Sequence, residues 1–69
     1  MIQNEAQLKQ AVEQVQNLYR ALDSLRVEVF ARNPRNFAIL AEGPVDEIRK
    51  LQIAIDDYVT RLESISAAA

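Results

Sequence analysis

The sequence predicts an all-α fold, an antiparallel αα-hairpin of two long helices that dimerises into a four-helix bundle. The single glycine and both prolines fall between residues 34 and 44, whereas good helix formers such as Ala, Leu, Gln and Glu fill the rest of the 69-residue chain. On both sides of that window, apolar residues repeat at the heptad spacing of paired helices. The two repeats also agree on one fold point, so we expect a single domain over residues 1–69.

The first helix is predicted over residues 4–32. Asn4 is a suitable N-cap, and Gln7 three residues later completes a capping-box pattern. Apolar residues then recur at alternating spacings of three and four, which places them at heptad positions a and d, and Val12 and Tyr19 widen the stripe at position e. The a and d residues are Leu8, Ala11, Val15, Leu18, Leu22, Leu25 and Val29.

The second helix is predicted over residues 44–66. Pro44 follows Gly43, and proline suits the first turn of a helix. A second heptad repeat then begins, and Val59 flanks it at position e. Its a and d residues are Ile48, Leu51, Ile55, Tyr58, Leu62 and Ile65.

The segment between the helices, residues 33–43, is predicted to be the corner. Pro34 can end the first helix at Asn33, and Asn33 can equally cap a short helix over residues 34–40. We expect three apolar residues, Phe37, Ile39 and Leu40, to plug the open end of the hairpin. An alternative interpretation makes the corner a docking point for another protein. Its residues would be Arg32, Arg35, Asn36 and Phe37.

The two repeats suggest a register for the hairpin. Paired outward from a fold point at residues 37–38, a positions meet a positions, from Val29 with Ile48 to Ala11 with Ile65. Val27 and Ile53 lie off the seam, and we expect them to form a second contact patch on an outer face.

Two helices alone leave each apolar seam half covered, so we expect a homodimer, or binding to another protein. The residues predicted to form the self-association seam are Leu8, Val12, Val15, Leu18, Tyr19, Leu22, Leu25, Val29, Ile48, Leu51, Ile55, Tyr58, Val59, Leu62 and Ile65.

Composition argues against an enzyme and against cofactors or metals. The chain has no histidine and no cysteine, so the usual catalytic base, the thiol nucleophile and the commonest metal ligands are absent. A net charge of −2 disfavours direct binding to nucleic acid or to an anionic membrane. The start, MIQNEAQLKQ, has no basic and apolar signal-peptide pattern, so a cytoplasmic location is expected.

Most of the chain, with MIQNEAQLKQAVEQVQNLYRALDSL and IRKLQIAIDDYVTRLE at its two ends, resembles the helical segment that precedes the DNA-binding domain of some bacterial antitoxin-like regulators. The shared marker is I-x-N-E-x-Q. This resemblance implies a helical interaction module of bacterial origin. No helix-turn-helix domain follows in the 69 residues, so DNA binding is not transferred. The predicted function is a non-enzymatic protein–protein interaction module, and the alternative is an accessory regulator within a nucleic-acid-binding complex.

Overall fold

The computed structural model describes residues 1–68, and these contain helices and no strand. Helix α1 spans Glu5–Leu25 and continues directly into one π-helical turn, Arg26–Phe30. Helix α2 spans Pro34–Ala68. The predicted all-helical class is therefore confirmed.

Two contacts that lie at opposite ends of the molecule show that the chain forms a hairpin. The Arg61 guanidinium donates a hydrogen bond from Nη2 to the backbone carbonyl oxygen of Ile2, at 2.6 Å. At the other end, the rings of Phe30 and Phe37 meet edge to face, with centroids 5.3 Å apart. Since the end of α2 lies beside the start of α1, the two helices run antiparallel.

The start of α1 is held by side-chain caps. The Asn4 Oδ1 accepts a hydrogen bond from the Gln7 backbone N–H at 2.9 Å, as the sequence predicts. In return, the Gln7 Oε1 accepts from the backbone N–H of Gln3 at 2.7 Å, one residue before the N-cap. The backbone N–H groups of Gln3 and Gln7 are therefore both hydrogen-bonded to side chains.

The corner is much shorter than predicted. Residues 31–33 form the turn, and Asn33 caps α2 by accepting a hydrogen bond at Oδ1 from the Asn36 backbone N–H at 3.0 Å. Pro34 is the first helical residue, where its missing N–H costs nothing. The predicted cap at Asn33 is therefore confirmed, whereas the predicted corner over residues 33–43 is wrong.

Gly43 and Pro44 lie inside α2 and do not reverse the chain, so the short helix over 34–40 and the restart at 44 are also wrong. Gly43 does not have a positive φ, hence it does not act as a turn residue. Pro44 lacks the N–H that would bond the Leu40 carbonyl, which disfavours a helix by about 3 kcal/mol. Its ring is half-buried, and its neighbours in the seam, Ala41 and Ile48, are buried. We attribute the continuity of α2 to this packing.

The register follows from the short corner. In an antiparallel hairpin, the numbers of two residues at the same level add up to a nearly constant value, which defines the register. This sum is 63 for Ile2 and Arg61, and 67 for Phe30 and Phe37. The predicted fold point at residues 37–38 requires sums near 76, so that register is wrong. The seam of α2 starts earlier than predicted, and in the observed register a positions of α1 lie level with d positions of α2. The a and d residues of α2 begin Phe37, Ala41, Pro44, Ile48, Leu51, Ile55 and Tyr58.

We expect Gly43→Ala to raise the free energy of unfolding by about 1 kcal/mol, because alanine favours a helix interior and a Cβ at residue 43 would meet no atom within 4 Å. Urea unfolding at fixed protein concentration measures the change. A lower stability would contradict the continuous helix, since a left-handed or turn glycine is the kind that alanine destabilises.

We expect Arg61→Ala to lower stability by about 1–2 kcal/mol and to loosen the first turn of α1. The substitution removes the bond to the Ile2 carbonyl and the cation–π contact of the guanidinium, which lies 5.7 Å from the Tyr58 ring centroid. Amide exchange of residues 4–8 reports the loosening. Arg20→Ala is the matched control, because the Arg20 guanidinium donates a hydrogen bond to Asn17, one turn away on the same helix. Equal effects of the two substitutions would show that Arg61 does not hold the start of α1 against α2.

Candidate interaction surface

The residues of the predicted self-association seam fall into two sets. Ten of them are buried or half-buried between α1 and α2, so the hairpin itself uses them: Leu8, Val15, Leu18, Leu22, Leu25, Val29, Ile48, Leu51, Ile55 and Tyr58. Five are exposed: Val12, Tyr19, Val59, Leu62 and Ile65. The second set is the one available to a partner.

One side of the hairpin carries the e positions of both helices, because e positions of an antiparallel pair flank the same side of the seam. We call this surface the e face. On α1 and the π-helical turn that continues it, the e face consists of Glu5, Val12, Tyr19 and Arg26, and on α2 of Ala38, Val45, Gln52 and Val59. Tyr19 is 54 % exposed, Val59 42 % and Val12 40 %. The middle of the e face is therefore uncharged and largely apolar.

The opposite side, which carries the g positions, is more polar. On α1 and the π-helical turn it consists of Gln7, Gln14, Ala21 and Glu28, and on α2 of Leu40, Glu47, Ala54 and Arg61. Lys50 lies beside this side and forms an ion pair with Glu47 at 3.6 Å. Of the two sides, the e face is thus the better candidate for burial against another protein.

The far end of α2 overhangs α1. Because Arg61 already lies beside Ile2, residues beyond it have no part of α1 next to them. Leu62 and Ile65 are 44 % and 66 % exposed for this reason, although the heptad places them on the seam. The short corner, which shifts α2 past the start of α1, accounts for the failure of the prediction at these two residues.

At the corner end, the π-helical turn helps to form an apolar groove. A cavity of about 470 Å³ is lined by Arg26, Val27, Phe30, Ala31 and Phe37. A second cavity of about 280 Å³ shares Arg26 and Phe37 with the first and adds Tyr19, Leu22 and Asp23 to the lining. A π turn holds more residues than an α turn and is often found at functional sites. We call the two cavities together the corner groove, and it opens beside the Tyr19 end of the e face.

The four residues of the predicted docking corner do not all face solvent. Arg32 lies in the turn, Arg35 and Asn36 lie on the first turn of α2, and all three side chains are exposed. Phe37 is half-buried against Phe30, as expected of a plug for the open end. The other two predicted plug residues, Ile39 and Leu40, are exposed, because α2 continues through them with its seam on another face.

The second contact patch predicted from Val27 and Ile53 does not form. Both side chains are exposed, as expected, but Val27 lies near the corner and Ile53 lies twenty residues beyond it on α2. At about 1.5 Å per helical residue, they are roughly 20 Å or more apart along the hairpin.

Sequence reasoning missed Ile2, the most buried large side chain, and Ala31 of the corner groove, and it assigned Val27 to a different surface. For Ile2 a signal was available, since an apolar residue just before an N-cap often packs on the helix it precedes. For the groove residues we find no comparable signal.

Within the described part of the chain, no three acidic side chains converge on a point where they could hold a metal ion. None of the helices in residues 1–68 is long and apolar enough to cross a membrane. Comparison with known protein families, with curated proteins and with solved structures finds no match to this chain.

Proposed function

We propose that this protein is a non-enzymatic oligomerisation module, a helical hairpin that pairs with a second copy through its e face to complete a four-helix bundle. The observation that carries the proposal is the set of exposed apolar residues on that face, Val12, Tyr19 and Val59. Bundles of this kind bury such flanking positions between helix pairs.

The surface area of one hairpin supports the need for a partner. A folded monomer of 7.8 kDa is expected to expose about 4,400 Å², whereas this hairpin exposes 5413 Å². The excess, about 1,000 Å², is close to the ~800 Å² that each partner buries in an ordinary specific interface. The radius of gyration of 15.8 Å, against about 11 Å for a compact chain of this length, reflects the same open shape.

The core of one hairpin is also thin. Five of the described residues are buried, and two of these five are alanines: Ile2, Ala11, Val15, Ala41 and Ile48. Small domains with so little buried apolar surface usually depend on a disulfide, a metal or association. The chain has no cysteine for a disulfide and no histidine, the commonest metal ligand, which favours association as the means of stabilisation.

Charge favours a protein partner over a nucleic acid. Two basic side chains of α2 are paired with acidic neighbours on their own helix: Lys50 with Asp46 at 3.6 Å, and Arg61 with Asp57 at 3.5 Å. A duplex would have to compete with these carboxylates for each cation.

We expect Val12→Glu to raise the dissociation constant of the dimer about 30-fold, because each copy would place a charge in the apolar middle of the interface, at a cost of roughly 2 kcal/mol over both copies. Sedimentation equilibrium measures the constant, and circular dichroism checks that helix is retained at high concentration.

The matched control is Ile53→Glu, which makes a similar change at an outward position that is 68 % exposed. We expect it to leave the dissociation constant unchanged. A dimer that tolerates Val12→Glu, or that is weakened equally by Ile53→Glu, would rule out the e face as the interface.

A further inference from the structure

We propose that the second copy packs with its corner at the opposite end, so that the two α1 helices lie side by side and antiparallel; this inference rests on the proposed self-association and adds its geometry. The e positions of α1 read Glu5, Val12, Tyr19 and Arg26. The two ends carry opposite charges, and the two middle residues are apolar. When two copies of this row of four residues run in opposite directions, the acidic end of each faces the basic end of the other.

The antiparallel arrangement has its two-fold axis level with Val15 and Gln16. It sets Glu5 opposite Arg26 of the second copy, and Val12 opposite Tyr19 of the second copy, each pair occurring twice as a two-fold interface requires. A parallel arrangement of the same two helices would set Glu5 against Glu5 and Arg26 against Arg26. Charges at e positions commonly fix helix orientation in this way.

Arg26 is able to serve in this pairing. Its Nε donates to Asp23 Oδ1 at 2.9 Å, which fixes the direction of the guanidinium while the side chain stays 61 % exposed. The terminal Nη atoms remain as further donors, since a guanidinium carries five N–H bonds. On α2, the e residues level with these positions, from Ala38 to Val59, carry no charge that would oppose the pairing.

The two ends of the hairpin supply an independent indication. One end has the apolar overhang with Leu62 and Ile65, and the other has the corner groove lined by Val27, Phe30 and Phe37. With the two-fold axis at Val15 and Gln16, Leu62 of the second copy comes level with residues 29–30 of the first. The overhang of each copy therefore lies level with the corner groove of the other. If both corners lay at one end, overhang would meet overhang and groove would meet groove.

A single spin label at the corner distinguishes these geometries. The chain has no cysteine, so Arg32→Cys gives one nitroxide per copy, on an exposed turn residue outside the e face. Residue 32 lies about 16 residues from the axis, and at 1.5 Å per residue the two labels should be about 50 Å apart. Corners at the same end would bring the labels within about 25 Å, since packed helices are 8–10 Å apart.

Double electron–electron resonance on the labelled dimer gives this distance, and sedimentation of the same sample gives its mass. A dimer with labels near 50 Å apart supports the orientation. A dimer with labels within about 25 Å overturns the orientation and leaves the proposed self-association standing. A monomer at all concentrations overturns both.

Charge exchange tests the pairing of Glu5 with Arg26. We expect Glu5→Arg or Arg26→Glu alone to raise the dissociation constant about tenfold, because two attractive contacts become repulsive, and the double exchange to restore most of the affinity. The controls are Glu13→Arg and Arg20→Glu, the same changes at exposed outward positions of α1. Single exchanges that act no more strongly than their controls, or a double exchange that fails to restore affinity, would overturn the pairing.

Discussion

The constraint on which the rest of the structure depends is that two helices can cover only one stripe of each other. The heptad residues of α1 and α2 meet between the helices, but both helices carry apolar residues beyond that stripe. Val12, Tyr19 and Val59 remain open to solvent on one side. The hairpin exposes about 1,000 Å² more than a compact monomer of its mass, which is close to the area that each partner buries in a specific interface. This exposed side is the basis for the proposal that the hairpin is half of a larger core.

Everything else in the hairpin sets which residues reach that surface. Asn33 and Pro34 start α2 immediately after a three-residue turn, so α2 slides past the start of α1 and leaves an overhang. Arg61 fixes the other end of the register by holding the Ile2 carbonyl. The π-helical turn at the end of α1 and Phe37 on α2 form the groove at the corner. A change in turn length would move the overhang and the e positions of α2 together.

The sequence predicted α1 well because its signals agree: the cap at Asn4 and seven apolar residues at unbroken heptad spacing all have their expected place in the structure. The continuity of α2 through Gly43 and Pro44 was missed because two signals conflict there. Gly43 and Pro44 indicate a break, whereas the spacing from Phe37 through Ala41 and Pro44 to Ile48 continues the heptad, and tertiary packing decides in favour of the heptad. The contact of Arg61 with Ile2 joins residues 59 positions apart, and local patterns carry no information on such a pair.

The most direct measurement is the solution mass of the unmodified protein over a dilution series, with helical content followed in the same samples. The account predicts a mass near twice 7.8 kDa at high concentration, and a parallel loss of mass and helix on dilution, because the exposed side of each hairpin is stabilised by the other copy. A monomer that keeps its full helical content at every concentration would contradict it, since one hairpin would then be a complete fold.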